Sequence, residues 1–350
     1  MKRAHKIRIY PNNKQETILS RHCGCARLAY NVCLAKWNED YANGINHNGF
    51  SIKKWFNSIK GEQYPFVYDV SKWACEAAIA DLSNAFNRFF SKQNGYPTFH
   101  KKGIRDSFRI DGSVIKTDGN MLYLPKGICL RMAETLRYEP LKIYNVTVSK
   151  TAGRWFASIQ CEVPESENQV AGGTIGIDLG VSQHATLSDG TVYENIKIER
   201  RYRRKLARAQ RSLHRKQKGG KNRRKARKRL STIYWRMSNK RSDNIHKFTS
   251  SITTIYATIC LEDLHVSGMV KNHNLAKAVS DAAFGEILRQ FGYKAKKIRT
   301  VGRFVPTTKL CCECGQLHEM PLHKRRMLCE CGNDKDRDHN AAINILRLAQ

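Results

Sequence analysis

The sequence predicts an α+β multidomain protein in which an N-terminal β domain carries a helical insertion and a C-terminal α/β domain follows. The chain has 350 residues, which is enough for two or three domains with a large buried core. Two long helical patterns precede a stretch of short alternating strands with turns, which runs from residue 96 to about residue 163. Beyond residue 173, apolar strand-like runs alternate with helical segments.

The N-terminal elements follow from their residue patterns. Residues 3–10 alternate as a strand does, and Pro11 ends the pattern. Helical spacing of apolar residues covers about 14–41 and about 70–91, and the apolar stripe of the second helix predicts a core face. The expected domain bounds are residues 1–13 and 95–170 for a β-barrel and residues 14–94 for a helical insertion.

The C-terminal half begins after a polar linker that ends in glycine, ESENQVAGG (165–173). Three strand-like runs follow it, TIGIDLG, HATLSD and TVYENIKI, and ATICLEDL predicts another buried strand. Helical texture returns over 273–295, and KIRTVGRFVPTT predicts a strand with an exit loop. We expect residues 174–350 to form one domain.

The charge predicts a polyanionic partner. Lys and Arg outnumber Asp and Glu by 62 to 30, which gives a formal net charge of +32. Residues 200–247 hold 21 Lys or Arg and one acid, Asp243, and QKGGKN divides this stretch into two helical arms. A second basic segment, residues 100–109, is either a phosphate contact or a solvated loop. The candidate nucleic-acid contacts are Lys101, Lys102, Arg105, Arg109, Arg203, Arg204, Lys205, Arg208, Arg211, Arg215, Arg223, Arg224 and Lys225.

The composition disfavours a secreted protein and a membrane protein. The N-terminus has no apolar segment typical of a signal peptide, and no apolar run reaches the ~18 residues that span a bilayer. We therefore expect a cytoplasmic protein with nucleic acid, not membrane, as its partner. Five of the twelve cysteines crowd between Cys311 and Cys331, which predicts metal ligation instead of a disulfide framework.

Acidic residues follow two apolar strand-like runs. Asp178 ends TIGIDLG, and Glu262 ends the strand in ATICLEDL, while Asp263 points to the other face of that strand. We expect the third acid of the site at the start of the terminal helix. Three carboxylates together repel one another, and two Mg²⁺ ions about 3.5–4 Å apart would relieve this and support phosphodiester hydrolysis. The order strand Asp, strand Glu, helix-start Asp is typical of RNase H-like nucleases.

One of these runs permits a different interpretation. IGIDLG also resembles the first phosphate loop of actin and Hsp70-type ATPases. That class expects small hydroxylated residues after the glycine, whereas Val181, Ser182 and Gln183 follow here. An ATPase of this class also has no use for a metal-binding cluster of cysteines.

The terminal cysteines have the spacing of a zinc ribbon at residues 308–333. Cys311 and Cys314 form a C-x2-C knuckle, and Cys329 and Cys331 form a C-x-C knuckle after 14 intervening residues. Four thiolates around one Zn²⁺ make a closed structural site. Cys312, His318 and His323 remain alternative ligands.

Taken together, the chain resembles the TnpB family, which comprises transposon-encoded RNA-guided nucleases related to the type V CRISPR effectors. The resemblance is carried by KIRIYPNNKQETILSRHCGCARLAYN, TIGIDLG, ICLEDLHVSGM, SDAAFGEILRQFGYKAKK, TTKLCCECG and DRDHNAAINIL. It implies a RuvC-like nuclease domain with an inserted zinc ribbon, beside a wedge-type β-barrel with a helical recognition insertion. The family's acids fall on Asp178, Glu262 and Asp338. We expect Asp336 either to support these ligands without binding metal itself or to cap the helix, and Asp334 to be a loop charge.

The resemblance also implies a function and partners. We expect a Mg²⁺-dependent DNA endonuclease that binds a guide RNA derived from the transposon end and cuts double-stranded target DNA beside a short motif. It would use two catalytic Mg²⁺ ions and one structural Zn²⁺, act as a monomer bound to one RNA, and associate with the nucleoid of a prokaryote. A guided DNA-binding repressor that does not cut, and a transposase that joins DNA ends, are the alternatives.

Overall fold

A computed structural model describes residues 1–164, 172–321 and 323–349. The chain divides into two compact units, Met1–Ser166 and Glu167–Gln350. Most of the linker predicted at 165–173 lies outside the described residues. Within the described ranges, no helix is long and apolar enough to cross a membrane.

The first unit is built on seven strands that wrap around one core. The strands are β1 (Lys2–Ile9), β2 (Ser107–Asp111), β3 (Lys116–Asp118), β4 (Met121–Leu124), β5 (Ile128–Arg131), β6 (Lys142–Thr151) and β7 (Arg154–Glu162). One antiparallel sheet has the order β1-β7-β6-β2, and the other has the order β3-β4-β5. A bridge between Ile9 and Met132 joins them, so the predicted barrel takes the form of two linked sheets around a shared apolar core.

Three helices stand between β1 and β2, namely α1 (Asn13–Ala42), α2 (Gly49–Gln63) and α3 (Lys72–Phe90). Asn12 starts α1 with a capping box, in which its side chain accepts from the Gln15 backbone and the Gln15 side chain accepts in return. The stripe predicted on α3 is buried at Cys75, Ile79 and Leu82 and packs into a helical core. The two long helices and their core face are therefore confirmed.

The second unit contains a five-stranded mixed sheet. Its strands are β8 (Thr174–Asp178), β9 (Gln183–Leu187), β10 (Val192–Glu194), β11 (Thr258–Glu262) and β12 (Lys297–Val301), in the order β10-β9-β8-β11-β12. β8, β11 and β12 are parallel, whereas β9 and β10 are antiparallel to their neighbours. The residues that end β8 and β11 therefore meet at one edge of the sheet.

Helices surround this sheet. They are α4 (Ile198–His214), α5 (Lys221–Ile255), α6 (Val266–Met269), α7 (Ala276–Ala282), α8 (Phe284–Lys294) and α9 (Arg337–Leu348). α4 and α5 are the two basic arms, and the turn between them coincides with QKGGKN. A small hairpin, β13 (Arg326–Leu328) and β14 (Asp334–Asp336), carries the second pair of clustered cysteines between its strands and leads directly into α9.

Candidate functional site

Asp178, Glu262 and Asp338, here called the carboxylate site, converge at the edge of the sheet. Asp178 is the last residue of β8, and Glu262 is the last residue of the adjacent parallel strand β11. Asp338 lies in the first turn of α9, which packs on β8 and β11. The three elements are far apart in sequence, so only the tertiary fold brings these acids together.

Gly176 explains how α9 reaches the sheet. A Cβ atom at this position would lie 2.2 Å from the Ala342 carbonyl oxygen and 2.7 Å from the Leu346 backbone nitrogen. No side chain fits there, so only glycine lets the helix backbone approach β8 this closely. The glycine two residues before Asp178 therefore places the helix that carries Asp338.

Burial and mutual repulsion dominate the electrostatics of the carboxylate site. Burial, and then the charges of Glu262 and Asp338, raise the pKa of Asp178 to about 8. Burial and the neighbouring Asp336 also raise the pKa of Asp338. In both acids burial and neighbouring carboxylates outweigh the partial compensation by Arg337, and a bound cation would supply further compensation.

Glu262 is held by a residue that sequence reasoning did not identify. The hydroxyl of the buried Thr307 donates a hydrogen bond to the Glu262 carboxylate. Asp263 pairs instead with Arg303, at 2.8 Å between Oδ2 and Nη2, and is exposed. Glu262 and Asp263 thus have different partners, in agreement with the expectation that only one of these two acids faces Asp178.

The other two aspartates near Asp338 have local roles. Asp336 caps α9, because its Oδ1 accepts from the backbone nitrogens of Asp338 at 2.9 Å and His339 at 3.4 Å. Asp334 lies on β14 and pairs with Arg326 at 2.7 Å. The cap role predicted for Asp336 is confirmed, whereas Asp334 is a paired strand residue and not the predicted loop charge.

Cys311, Cys314, Cys329 and Cys331, here called the cysteine cluster, have ligand atoms that all lie within 4.8 Å of one another. Two Sγ–Sγ distances are 3.6 Å, for Cys311 and Cys331, and 3.5 Å, for Cys314 and Cys329. A tetrahedral zinc site with bonds of about 2.3 Å has Sγ–Sγ edges of about 3.8 Å. The donor set and its spacing therefore fit one Zn²⁺.

The alternative zinc ligands lie outside the cysteine cluster. Cys312, His318 and His323 are absent from the group of four, and burial raises the pKa of the Cys312 thiol. Burial disfavours ionisation of Cys311 too, but backbone N–H groups of Cys314 and Glu313 and the Asn333 amide lower its pKa to about 6. These hydrogen bonds therefore favour the thiolate form of Cys311, which is the form that binds metal.

Three asparagines connect the cysteine cluster to α9. Asn340 is fully buried, and its Oδ1 accepts from the Cys312 backbone nitrogen at 2.9 Å, while its Nδ2 donates to the Leu310 carbonyl. Asn333 Nδ2 lies 3.3 Å from the Cys311 Sγ and 3.2 Å from the Asn340 Oδ1.

The third member, Asn344, donates to the carbonyls of Thr307 and Leu310 at 2.8 and 2.7 Å. Its bond to Thr307 extends the network to the residue that holds Glu262. The same buried amides thus contact the first cysteine knuckle, the helix of Asp338 and the partner of Glu262. We call Asn333, Asn340 and Asn344 the asparagine bridge.

The three carboxylates offer hard oxygen donors, unlike the four thiols. Among the described residues, the cysteine cluster is the one group of three or more potential ligands whose atoms all fall within 4.8 Å of one another. Two cations about 3.5–4 Å apart need ligands distributed around both ions. The oxygen donors and the raised pKa values of Asp178 and Asp338 therefore fit a pair of hard cations such as Mg²⁺.

The predicted nucleic-acid contacts fall into exposed and internally paired groups. The exposed ones are Lys101, Lys102, Arg105, Arg203, Arg204, Lys205, Arg208, Arg211, Arg215, Arg224 and Lys225. Arg109 instead pairs with Asp81 of α3 at 2.7 Å. Arg223 donates to the carbonyls of Leu213 and Lys216, both at 2.9 Å, and so closes the C-terminal end of α4. For these two arginines the structure shows a local structural role.

Three family profiles match successive parts of the chain. Residues 158–273 match OrfB_IS605, described as a probable transposase, and residues 284–345 match the Cas12f1-like TNB domain. Residues 1–46 match a profile described as a helix-turn-helix domain. The structure forms one strand and one 30-residue helix over most of that last segment.

Two bacterial relatives align over nearly the full length of the chain. A protein of Streptomyces pristinaespiralis, provisionally named an RNA-guided DNA endonuclease, is 36% identical over 99% of this chain and 89% of its own length. The similarly named InsQ of Escherichia coli K12 is 30% identical over 98% of this chain and 91% of its own. A TnpB-like protein of Acanthamoeba polyphaga mimivirus matches a shorter part, with 28% identity over 37% of this chain and 26% of its own.

A solved structure supports the fold over the same length. Cas12f1, determined by cryo-electron microscopy with its sgRNA and target DNA, matches with a TM-score of 0.58 at 14% identity. The match covers 99% of this chain and 98% of Cas12f1. Together with the full-length relatives and the family profiles, this establishes that the chain belongs to the TnpB family.

Proposed function

We propose that this protein is an RNA-guided DNA endonuclease of transposon origin. The observation that carries the proposal is the convergence of Asp178, Glu262 and Asp338 at one edge of an RNase H-like sheet, with burial and repulsion raising the pKa of Asp178. The names of the full-length relatives agree with it.

In this proposal, Asp178, Glu262 and Asp338 hold two Mg²⁺ ions. Two such ions would supply the chemistry of phosphodiester hydrolysis, an activated water and charge stabilisation of the leaving 3′ oxygen, and the products would carry 5′-phosphate and 3′-hydroxyl ends. Thr307 fixes the Glu262 carboxylate, and Asp336 fixes the start of the helix that presents Asp338. The same site would cut the two DNA strands in turn.

The cysteine cluster would hold one structural Zn²⁺, since its four thiols leave no position for a water or substrate. Its task would be to stabilise the segment that leads into α9. The asparagine bridge supports this role, because its amides contact both the first knuckle and the helix.

We assign the β strands of the first unit and the helices inserted between β1 and β2 to recognition of the DNA motif and the guide–target duplex. Base pairing with an RNA copied from the transposon end would read the target strand. A monomer with one RNA is the proposed working form. The exposed cations of α4 and α5 would contact the phosphate backbone.

Copurification and cleavage together test this function. RNA bound to the purified protein would be sequenced, and its guide segment would be matched to a plasmid target carrying randomised flanking bases. We expect Mg²⁺-dependent double-strand breaks beside one short motif. Guided binding without breaks would indicate a repressor, strand-transfer products would indicate a transposase, and dependence on ATP would indicate the actin-like class.

Salt titration tests the contribution of the basic arms. Replacing Arg203, Arg204, Lys205 and Arg208 by Gln should flatten the plot of log affinity for RNA against log salt by about 0.7 for each phosphate that is no longer neutralised. Lys271→Gln, a change of an exposed cation outside the arms, is the control. An unchanged slope would show that the arms are a solvated surface.

A further inference from the structure

A short loop, residues 302–306, leaves the sheet directly beside Glu262 and returns to it. β12 ends at Val301, which is the register partner of Glu262, and the Asp263 backbone nitrogen donates to the Val301 carbonyl at 3.1 Å. At the other end, the buried Thr307 donates its hydroxyl to the Glu262 carboxylate. Both ends of the loop are therefore held at one member of the carboxylate site.

Phe304 stands in the middle of this loop with 94% of its surface exposed. That is the highest exposure among the large apolar side chains in the part of the chain that the structure describes. Phe304 is three residues from both Val301 and Thr307, so its Cα lies within about 11 Å of each. The backbone of Phe304 thus lies close to two residues that adjoin Glu262.

The loop is ordered by its own contacts even though the ring is exposed. The Val305 backbone nitrogen donates to the Gly302 carbonyl at 3.1 Å and closes a turn around Phe304. Arg303 is fixed to Asp263 by its Nη2 at 2.8 Å, with its Nε 3.4 Å from the Asp263 carbonyl. An exposed aromatic ring on an ordered loop offers a ligand a flat apolar face.

The charge around the ring favours a nucleic-acid strand over an apolar protein surface. Residues 302–309 contain two cations, Arg303 and Lys309, and no acid. The nearby Asp263 carboxylate is already paired with Arg303. A phosphate backbone could therefore approach the loop without meeting an unpaired negative charge, except at the carboxylates that would hold cations.

We propose that Phe304 is a base-stacking subsite for the single DNA strand being cut. The ring would stack on a nucleobase within a few nucleotides of the phosphate placed at Asp178, Glu262 and Asp338. Every base offers a π-face, so the contact would position the strand without selecting its sequence. The inference rests on the proposed nuclease function, because it assumes that a strand enters the carboxylate site.

Fluorescence of 2-aminopurine tests the stacking directly. The RNA-loaded Asp178→Asn variant would be mixed with single-stranded targets that carry 2-aminopurine at successive positions around the cleavage point. We expect one position to be quenched, and the quenching to disappear with Phe304→Ala but persist with Phe304→Trp. Since the ring is exposed, its removal leaves no cavity. Equal quenching with and without the ring overturns the inference.

Cleavage kinetics give a second measurement, made on protein in which Asp178 is unchanged. Phe304→Ala should lower kcat/KM for single-strand cutting by about 10- to 100-fold, the range expected for one stacked base. An abasic site at the quenched position should slow the original protein by a similar factor and add little to Phe304→Ala. Tyr293→Ala is the matched control, because Tyr293 lies at the end of α8, just before β12 begins at the opposite edge of the sheet.

The remaining outcomes separate the two proposals. Quenching that depends on Phe304, together with no cleavage by the unsubstituted protein, would refute the nuclease function, and Phe304 would then be a base contact of a DNA-binding protein that does not cut. Guided cleavage with quenching unaffected by Phe304→Ala would support the nuclease function and refute the stacking subsite. A change of molecular mass in Phe304→Ala, with unchanged quenching, would show that the ring joins two copies of the chain and would also overturn the subsite.

Discussion

The carboxylate site and the cysteine cluster both adjoin the start of α9 but are built in opposite ways. The cysteine cluster comes from two tight knuckles within 21 residues, and its thiols already have the spacing of a tetrahedral site. The carboxylate site draws on β8, β11 and α9, and its acids repel one another. The cysteine cluster is therefore a local feature, whereas the carboxylate site depends on the packing of three elements of the second unit.

The largest effect should follow from removing one carboxylate. Asp178→Asn, Glu262→Gln or Asp338→Asn should each reduce DNA cleavage by at least about a thousandfold, because each removes a cation ligand and the charge stabilisation it provides. Guided DNA binding should persist. Gel analysis of cleavage products and a parallel binding assay measure the two quantities.

Asp263→Asn is the matched control for these variants. Asp263 is adjacent to Glu262 but exposed and paired with Arg303, so its replacement should leave most of the activity. If all three carboxylate variants still cut, or if Asp263→Asn is as damaging as Glu262→Gln, the assignment of the carboxylate site is wrong.

Removing the zinc ligands should have the next largest effect. Cys331→Ser should release zinc and reduce cleavage by about 10- to 100-fold, since disruption of the groups that support a metal site typically costs that much. The reason is mechanical, because the first knuckle is bonded to α9 through Asn340 and Asn333. Zinc content and cleavage rate would be measured on the same sample.

Cys312→Ser tests whether the effect belongs to zinc. Cys312 is next to Cys311 but outside the cysteine cluster, so this variant should keep its zinc and most of its activity. Full cleavage by a zinc-free Cys331→Ser protein would show that the two sites are independent and would remove the proposed link between them.

Asn340→Ala sharpens the comparison by breaking the link and leaving both sets of ligands intact. It leaves the Cys312 N–H without this partner, and one unsatisfied group in a buried setting costs about 1–3 kcal/mol, whereas the Leu310 carbonyl keeps its bond from Asn344. We expect retained zinc, a lower melting temperature and about a tenfold higher Mg²⁺ concentration for half-maximal cleavage.

A double-mutant cycle distinguishes positioning from general destabilisation. If Asn340 transmits the effect of the ribbon, Cys331→Ser and Asn340→Ala together should cost less than the sum of their separate effects. A lower melting temperature with an unchanged Mg²⁺ requirement would assign Asn340 a purely structural role.

The sequence predicted the elements of both sites better than their connections. Asp178 and Glu262 were recognisable because each follows a run of apolar β-branched residues, and the cysteines because their spacing is local. The Thr307–Glu262 bond, the approach of α9 to Gly176 and the bridging by Asn344 join residues far apart in the chain. No periodicity encodes such contacts, since they arise only when the strands pair and the helix packs.

The same limit applies to the basic residues. Their density indicated a polyanionic partner, but density does not show which guanidinium groups are already used within the fold. Arg109 has the carboxylate of Asp81 as a partner, and Arg223 has two carbonyls at the end of α4. Each of these partners comes from a different element, so the sequence offered no signal that separates them from exposed neighbours such as Arg224.

The last prediction concerns stability and its pH dependence, not cleavage. The pKa of Asp178 is about 8 in the folded protein and near 3.8 when unfolded, so between these values the folded state holds a proton that the unfolded state releases. The free energy of unfolding contributed by this group therefore falls as pH rises from about 4 to about 8. Asp178→Asn removes that pH dependence, so its melting temperature without Mg²⁺ should exceed that of the unsubstituted protein by more at pH 8 than at pH 5.

Glu286→Gln is the control of opposite sign. A hydrogen bond from Arg289 lowers the pKa of Glu286 to about 2, so its stabilisation is complete above its unfolded pKa and disappears only as pH falls toward 2. Glu286→Gln should therefore melt below the unsubstituted protein by a constant margin between pH 5 and pH 8. Thermal melts across this range measure both margins. If the difference in melting temperature between Asp178→Asn and the unsubstituted protein does not widen with pH, burial and repulsion raise the pKa of Asp178 less than the structure indicates. The contrast with the cysteine cluster would then weaken.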